Sequence, residues 1–210
     1  MKYEIESKYI LKDKSLLNNF LKDAKSLREG TQKDIYYDTS DAMFFQKAVF
    51  IRVRDDRLDF KFKKDFKKGD KHDGCSETSF DIPFDKNKLD TINNTLEYLG
   101  LNSIPDADFD LFLQVNNLQQ FVIIDKRFYE YQLEGFKFRL DEVKDLGSFL
   151  EIEKITYNEN EVKVIKSKIL QYEKKLNLEF VNTGYVELYL RENDFDLYLD
   201  GPYLLDKNKN

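Results

Sequence analysis

Two hydrophobic spacings alternate along the chain, and they predict different elements. The opening YEIESKYI alternates charged and apolar positions with a period of two, which predicts a strand with one polar face. The same period predicts further strands at 35–39, 76–82, 121–132, 136–143 and 149–157, and a hairpin at 49–64 around an Asp55-Asp56 turn.

Apolar residues at helical spacing predict three helices between these strands. The first has Asp13 as its cap and an apolar stripe running from Leu16 to Leu27. The second runs from Leu89 to Leu99 and stops at Gly100, and the third covers 159–177. The spacing of apolar residues in 104–120 is compatible with either a helix or a loop. Runs of strands interrupted by a few helices favour an α+β fold with an antiparallel sheet.

Charged residues on the polar strand faces occur in blocks of one sign. Acids share a face at Glu4 and Glu6 and again at Glu151 and Glu153, with Asp141 in phase with Arg139 on another strand. Bases share a face in two other strands, at Arg52 and Arg54 and at Lys61 and Lys63. A solvated face normally mixes both signs, because like neighbours repel. Helices on the apolar face and a concave charged face would enclose a polar lumen suited to a divalent cation bound to a polyanion.

Length, net charge and cysteine content indicate how many domains to expect and which partners are disfavoured. The 210 residues contain no Pro/Ser/Gly-rich linker, so we expect a single domain over 1–210. The net charge of -6 argues against general affinity for nucleic acid or membrane surfaces. Cys75 is the single cysteine, and no apolar run resembles a signal peptide or a membrane span. These features predict a cytoplasmic protein.

Several short motifs follow one another along the chain: Glu4-x-Glu6-x-Lys8, QKDIYYDT, FIRVR, a basic residue on the following strand, DKR, LDEV and LGSFLEIE, with a weaker one at TGYVEL. In this order they resemble the motifs of the CYTH, or triphosphate tunnel metalloenzyme, superfamily. ExExK alone is a weak signal, whereas the ordered set is specific. The superfamily includes thiamine triphosphatases, inorganic tripolyphosphatases and class IV adenylyl cyclases.

This resemblance implies an eight-stranded antiparallel closed β-barrel, a tunnel with a charged lumen and helices packed outside. It also implies a Mg²⁺ or Mn²⁺ cofactor and a small-molecule triphosphate substrate. By position, the metal-site carboxylates are Glu4, Glu6, Asp141, Glu151 and Glu153. The substrate-binding bases are Lys8, Arg52, Arg54, Lys61 and Arg127, and strand phase adds Lys63 and Arg139.

The expected chemistry is in-line attack of water on the terminal phosphorus. Phosphoryl transfer mostly requires positioning and charge neutralisation. Glu4, Glu6, Lys8 and Glu153 are the catalytic candidates, and Glu4, Glu6 and Glu153 are equally suited to orient and deprotonate the water. We therefore expect a metal-dependent triphosphatase, acting on tripolyphosphate or on an organic triphosphate such as thiamine triphosphate, as a monomer or homodimer.

Three alternatives stay open at this stage. A class IV-like adenylyl cyclase would use the same tunnel, and a non-catalytic polyphosphate or nucleotide binder would use only the bases. An RNA 5′-triphosphatase is disfavoured by the acidic net charge. The sequence departs from the family pattern in two places. The Lys that often precedes Ser-Tyr in the C-terminal motif has no counterpart in the matching stretch Asn182-Thr183-Gly184-Tyr185, which bears on substrate preference, and Glu77 alone is recognisable in the strand at 76–82.

Some conspicuous residues are better explained without function. His72 lies in a charged loop, and Cys75 has no metal-ligand partners in its sequence neighbourhood. The G-x-x-x-x-G pattern at 69–74 lacks the following lysine of a P-loop. Tyr36 and Tyr37 lie in a predicted strand, where packing is the usual role of tyrosine.

Overall fold

A computed structural model describes residues 3–63, 65, 67 and 75–205. His72, the 69–74 pattern and Lys64, Lys68 and Lys71 of the predicted charged loop lie outside the described residues. The described part contains nine strands and seven α-helices, which confirms the α+β class.

The strands are β1 (Tyr3–Ile10), β2 (Lys25–Asp38), β3 (Val49–Arg54), β4 (Arg57–Phe62), β5 (Ser76–Asp81), β6 (Gln119–Leu133), β7 (Phe136–Val143), β8 (Gly147–Thr156) and β9 (Glu179–Val181). The helices are α1 (Lys14–Phe20), α2 (Met43–Gln46), α3 (Leu89–Tyr98), α4 (Phe109–Val115), α5 (Val162–Lys175), α6 (Tyr185–Asn193) and α7 (Phe195–Asp200). In the described ranges, no helix combines the length and the apolarity needed to cross a bilayer.

The strands form one antiparallel sheet in the order β5-β4-β3-β2-β6-β7-β8-β1-β9. Of the predicted eight-stranded closed barrel, the antiparallel sheet is confirmed and the closure is not shown. The short strand β9 makes a ninth member, and over the described residues the hydrogen bonding does not close the sheet on itself.

The chain divides into two compact units. Unit 1 comprises Met1–Gln32 and Asp125–Asn182, and unit 2 comprises Lys33–Ile124 and Thr183–Asn210. The long strands β2 and β6 each contribute residues to both units.

In unit 1, one face of the sheet is apolar and packs against helices. Leu150 and Ile152 of β8 and Phe138 of β7 are completely buried in a cluster that also contains Ile165 and Ile169 of α5. Successive strand residues point to opposite faces, so burying these positions turns the intervening charged residues to the other face. The predicted arrangement of helices on the apolar face is therefore confirmed in this unit.

Unit 2 repeats the arrangement with different elements. Leu58 and Phe60 of β4 pack with Ile92 and Leu96 of α3 in a second cluster, which also includes Phe112 of α4. The ambiguous stretch at 104–120 thus contains a helix. Its N-terminus is capped by the Asp108 carboxylate, which accepts a hydrogen bond from the backbone N–H of Leu111.

The first predicted helix is shorter in the structure than its hydrophobic spacing suggests. Asp13 caps α1 as expected, accepting a hydrogen bond from the Ser15 backbone N–H. The helix ends at Phe20, and the chain enters β2 at Lys25, so Leu27 lies in a strand and is exposed. Pairing within the sheet has overridden local helical periodicity beyond Phe20.

A C-terminal segment after α7 is tied into unit 2 by Tyr203. This side chain is completely buried and stacks on Phe50, with ring centroids 6.2 Å apart and planes inclined by 14°. Its hydroxyl lies 3.6 Å from the Cys75 Sγ, and its carbonyl accepts a hydrogen bond of 3.0 Å from the Thr183 hydroxyl.

The core of unit 1 predicts contrasting effects for two leucines. Leu150→Ala should lower the free energy of unfolding by roughly 3–5 kcal/mol, because it empties a fully buried site. Leu170→Ala should change it by less than about 0.5 kcal/mol, since Leu170 is 53% exposed on α5. Urea unfolding measures both, and equal losses would contradict the placement of the core.

Candidate active site

The polar face of unit 1 is organised as two cross-strand rows of charged and polar residues. In the first row, Glu6 of β1 lies opposite Glu153 of β8, which lies opposite Lys137 of β7. In the second row, Lys8 lies opposite Glu151, which lies opposite Arg139, and Arg139 lies opposite Glu130 of β6. The register thus brings together residues that are far apart in sequence.

Two carboxylates face each other directly in the first row. The Cβ atoms of cross-strand partners such as Glu6 and Glu153 lie about 5 Å apart, and like charges in this arrangement are destabilising. Lys137 forms an ion pair with Glu153 on one side, while Glu4 adds a third acid on the Glu6 face of β1. The predicted residues Glu4, Glu6 and Glu153 therefore share one surface.

The second row is more evenly balanced in charge. The Lys8 ammonium lies 3.3 Å from the Glu151 carboxylate, and both side chains are less than one-fifth exposed. Glu151 also lies opposite the Arg139 guanidinium on its other side. The structure thus places the predicted base Lys8 beside the predicted acid Glu151.

Arg139 and Asp141 are at the centre of a buried ionic cluster. The Arg139 Nε donates to the Asp141 Oδ1 at 2.8 Å, and its Nη1 donates to the Glu130 Oε1 at 2.9 Å. The Lys126 ammonium donates to the other Asp141 oxygen at 2.8 Å, and Gln32 accepts from the Arg139 Nη2 at 3.0 Å. Asp141 has no exposed surface.

These contacts affect the predicted roles of both residues. Burial acts to raise the pKa of Asp141, but the charges and hydrogen bonds of Lys126 and Arg139 outweigh it and hold this pKa below its usual range. Both carboxylate oxygens accept bonds from bases, and all three guanidinium nitrogens of Arg139 donate to protein acceptors. This geometry favours a structural role for Asp141 rather than the predicted metal ligation, and the same holds for Arg139 rather than phosphate binding.

Arg127 is on the face opposite to the one predicted for it. Its guanidinium lies 5.0 Å from the ring centroid of Tyr129, which belongs to the side packed on the unit 1 core. The residue in phase with Glu130 on the polar face is Lys126. The correction has a simple cause: Lys126 and Arg127 are adjacent, and a one-residue offset in a strand exchanges the two faces.

Unit 2 presents the predicted arginine pair on its polar face. The Arg54 guanidinium forks onto the Asp34 carboxylate through Nε and Nη2, at 2.6 and 2.7 Å. Arg52 donates through Nε and Nη2 to a single oxygen of Asp59, at 3.2 and 2.7 Å. Both arginines keep partial exposure, 18% for Arg52 and 24% for Arg54, so they can reach solvent as well as their partners.

Burial and charge shift the pKa of several groups on this face. Burial acts to raise the pKa of Asp59, but hydrogen bonds from Ser79 and Arg52 outweigh it and lower this pKa. Burial is the main cause that raises the pKa of the Tyr36 hydroxyl, which lies opposite Arg52. Tyr37 points to the other face and packs edge-on against Phe109.

The predicted lysines of β4 have different surroundings. The Lys61 ammonium lies 3.3 Å from the Glu77 carboxylate, in an exposed pair on the arginine face. Lys63 follows the end of β4 at a half-buried position. Its predicted contact with phosphate stays a prediction.

Sequence reasoning missed the carboxylates that hold the bases. Asp34, Asp59 and Glu130 are each buried and each bind an arginine. Strand phase could have found them, because Asp34 is two residues from Tyr36 and Asp59 is two residues from Lys61. Blocks of one sign do not reveal them, since none of the three has a second acid two residues away on its strand.

A preassembled cluster of three or more His, Cys, Asp or Glu ligands is not found in the described residues. The donor set still fits Mg²⁺ or Mn²⁺, which prefer oxygen ligands. Mg²⁺ in particular is commonly held by one or two carboxylates together with substrate phosphates. Glu6 and Glu153 supply such a pair, and their mutual repulsion favours a cation between them.

The buried cluster predicts a specific acid sensitivity. The lowered pKa of Asp141 means that its stabilisation is complete above the unfolded-state pKa of about 3.9 and is lost as the pH falls through the folded-state value. Asp141→Asn should cost roughly 3–5 kcal/mol near neutral pH, because it leaves two buried bases uncompensated. The difference from the wild type should shrink below about pH 4.

Urea unfolding between about pH 3 and pH 7 measures this difference. Asp145→Asn is the matched control, since it removes the same charge from an exposed turn. A stability gap for Asp141→Asn that stays constant down to pH 3 would contradict the coupling to Lys126 and Arg139.

A search of curated proteins finds a protein of Methanocaldococcus jannaschii named "putative adenylate cyclase". It is 25% identical over 190 residues, which cover 88% of this chain and 97% of the relative. The similarity therefore extends over both units.

Solved structures share the fold. A protein of Pyrococcus horikoshii matches with a TM-score of 0.59 and 22% identity, covering 90% of this chain and 99% of its own. A Hippeastrum protein, described as a "putative adenylyl cyclase" with a dominant triphosphatase activity, matches with a TM-score of 0.57 and 18% identity, covering 99% and 100%. Identities this low show the fold alone.

Pairwise identities of 25% or less do not assign the chain to a family, but a match to a family model does. The model described as the CYTH domain matches residues 2–183, which include both polar faces and every residue proposed from the sequence for the site. The ordered motifs, the antiparallel sheet and this match agree, and the chain belongs to the CYTH domain family.

Proposed function

We propose that this protein is a divalent-metal-dependent hydrolase of a small triphosphate, releasing phosphate. The observation that carries the proposal is the pairing of Glu6 with Glu153 in one row and of Lys8 with Glu151 in the next. Facing acids beside a base are suited to a substrate that brings both a metal ion and phosphate oxygens. The closed eight-stranded tunnel predicted from the sequence remains part of this proposal.

The metal-binding residues in this proposal are Glu4, Glu6, Glu151 and Glu153. When bound, Mg²⁺ or Mn²⁺ would neutralise phosphate charge and polarise phosphorus–oxygen bonds. Lys137 and Lys8 hold Glu153 and Glu151 in place through their ion pairs. Asp141 is left out of the set because both of its oxygens already accept bonds from buried bases.

The phosphate-binding residues in this proposal are Lys8, Arg52, Arg54 and Lys61. Guanidinium groups match phosphate geometry with paired N–H donors, and phosphoryl transfer relies on such positioning and on charge neutralisation. A carboxylate on the polar face of unit 1, from Glu4, Glu6 or Glu153, would accept the proton of the attacking water. Burial around Arg52 and Arg54 strengthens their attraction for an anion.

A class IV-like adenylyl cyclase is the second candidate, favoured by the name of the Methanocaldococcus jannaschii relative. It would use the same bases and metal but place the α-phosphorus for attack by the ribose hydroxyl. The description of the Hippeastrum protein, with its dominant triphosphatase activity, supports placing hydrolysis first. A non-catalytic binder is disfavoured, because anion binding alone gains nothing from facing carboxylates.

Substrate and product assays separate these candidates. Tripolyphosphate, thiamine triphosphate and ATP are each incubated with Mg²⁺, Mn²⁺ or EDTA, and orthophosphate, pyrophosphate and cyclic AMP are quantified. We expect metal-dependent orthophosphate release from at least one substrate. Cyclic AMP with pyrophosphate in place of orthophosphate would identify the cyclase, and intact substrate throughout would refute catalysis.

Glu153→Gln tests the proposed metal site. We expect turnover to fall roughly 100-fold and the Mn²⁺ concentration for half-maximal rate to rise, because one of two facing carboxylates loses its charge. The melting temperature should change little, since the substitution also relieves repulsion with Glu6.

Glu159→Gln is the control, because it neutralises an exposed glutamate outside the polar face. It should leave both the turnover and the metal requirement unchanged. Wild-type activity in Glu153→Gln would refute the assignment of the metal site.

A further inference from the structure

Two buried aspartates on the same side of β2 have different partners. Asp34 and Asp38 are four residues apart, and each is 1% exposed. Asp38 accepts hydrogen bonds from the backbone N–H groups of Phe44 and Phe45, at 3.0 and 2.7 Å, and so fixes the start of α2. Asp34 instead binds the Arg54 guanidinium.

The contact between Asp34 and Arg54 is a two-bond fork between directly opposite strand positions. Arg54 Nε donates to one carboxylate oxygen at 2.6 Å, and Nη2 donates to the other at 2.7 Å. A guanidinium has five N–H donors in a fixed plane, so this fork uses two and fixes the direction of the remaining three. Asp34 is buried while Arg54 is 24% exposed, so the carboxylate holds the guanidinium from its protein side.

We propose that Asp34 is a positioning residue that orients Arg54 for binding substrate phosphate. An unrestrained arginine has many rotamers, and binding would have to select one of them at an entropic cost. The fork makes this selection before the substrate arrives. This inference rests on the proposed function, because the ligand of Arg54 in it is a triphosphate. Asp34 itself does not touch the substrate.

The proposal predicts that Asp34→Asn lowers the affinity for tripolyphosphate, whereas the change in charge alone would raise it. Asp34→Asn removes a negative charge next to a phosphate-binding base, which by electrostatics alone would strengthen anion binding. If Asp34 acts by holding Arg54, the same substitution weakens binding instead. Calorimetric titration with tripolyphosphate in EDTA measures binding without turnover, and we expect a roughly 10-fold weaker affinity.

A double-mutant cycle with Arg54→Ala shows whether the effect acts through Arg54. In the Arg54→Ala background, Asp34→Asn should cause no further loss of affinity, and only the slight gain from removing a negative charge should remain. Asp38→Asn is the matched control: it should lower thermal stability without changing tripolyphosphate binding, since its partners are backbone N–H groups and the Thr39 hydroxyl rather than an arginine. Tighter binding by Asp34→Asn, or an equal loss in both backgrounds, would overturn the proposal.

A second measurement does not depend on any ligand. The Arg54 Nε–H signal in ¹H–¹⁵N spectra should be protected from exchange in the wild type and in Asp38→Asn, and less protected in Asp34→Asn, which loses one of the two acceptor oxygens of the fork. Unchanged protection in Asp34→Asn would overturn the proposal even if affinity falls. Wild-type protein that binds tripolyphosphate but hydrolyses none of the three triphosphates with metal would refute the proposed hydrolase alone. Failure to bind tripolyphosphate would overturn the positioning role of Asp34 and leave the hydrolase to the substrate assays.

Discussion

Charge compensation at the sheet surface is the constraint on which the rest of this structure depends. A carboxylate or guanidinium loses its hydration on burial, and only an opposite charge with well-directed hydrogen bonds restores the lost free energy. Asp141 is fully buried between Lys126 and Arg139, and Arg139 in turn bonds Glu130. A sheet face that carries several half-buried bases must therefore also supply acids, and this sheet supplies them from neighbouring strands.

The two-residue period of the strands makes this charged surface compatible with folding. Each strand turns its apolar residues to the helices and its charged residues to the opposite face, so one sequence pattern specifies both the core and the site. Leu150 and Ile152 are completely buried, while the adjacent Glu151 and Glu153 lie on the polar face. A one-residue shift in register would exchange the two sets, and the same pattern therefore protects the site against slippage.

The sequence predicted features that are set within one strand or helix, and it did not predict features that are set by pairing between strands. Alternation along single strands located the acids of β1 and β8 and the arginines of β3, and capping by Asp13 located α1. Cross-strand partners depend on register, which the sequence does not state, so the pairing of Asp34 with Arg54 and of Asp59 with Arg52 could not be predicted. The offset between Lys126 and Arg127 had the same origin, because two adjacent bases are equivalent until one is seen to reach Asp141.

The contact between Tyr203 and Cys75 makes the natural thiol a reporter of how the segment around Tyr203 packs. Cys75 is the single thiol in the sequence, and its sulfur lies against the Tyr203 hydroxyl, which is held by the stack on Phe50. Cys75 is half-buried, so the rate at which a thiol reagent labels it is sensitive to how closely the segment around Tyr203 covers the sulfur. That rate can be followed by mass spectrometry on unmodified protein, without an introduced cysteine or fluorophore.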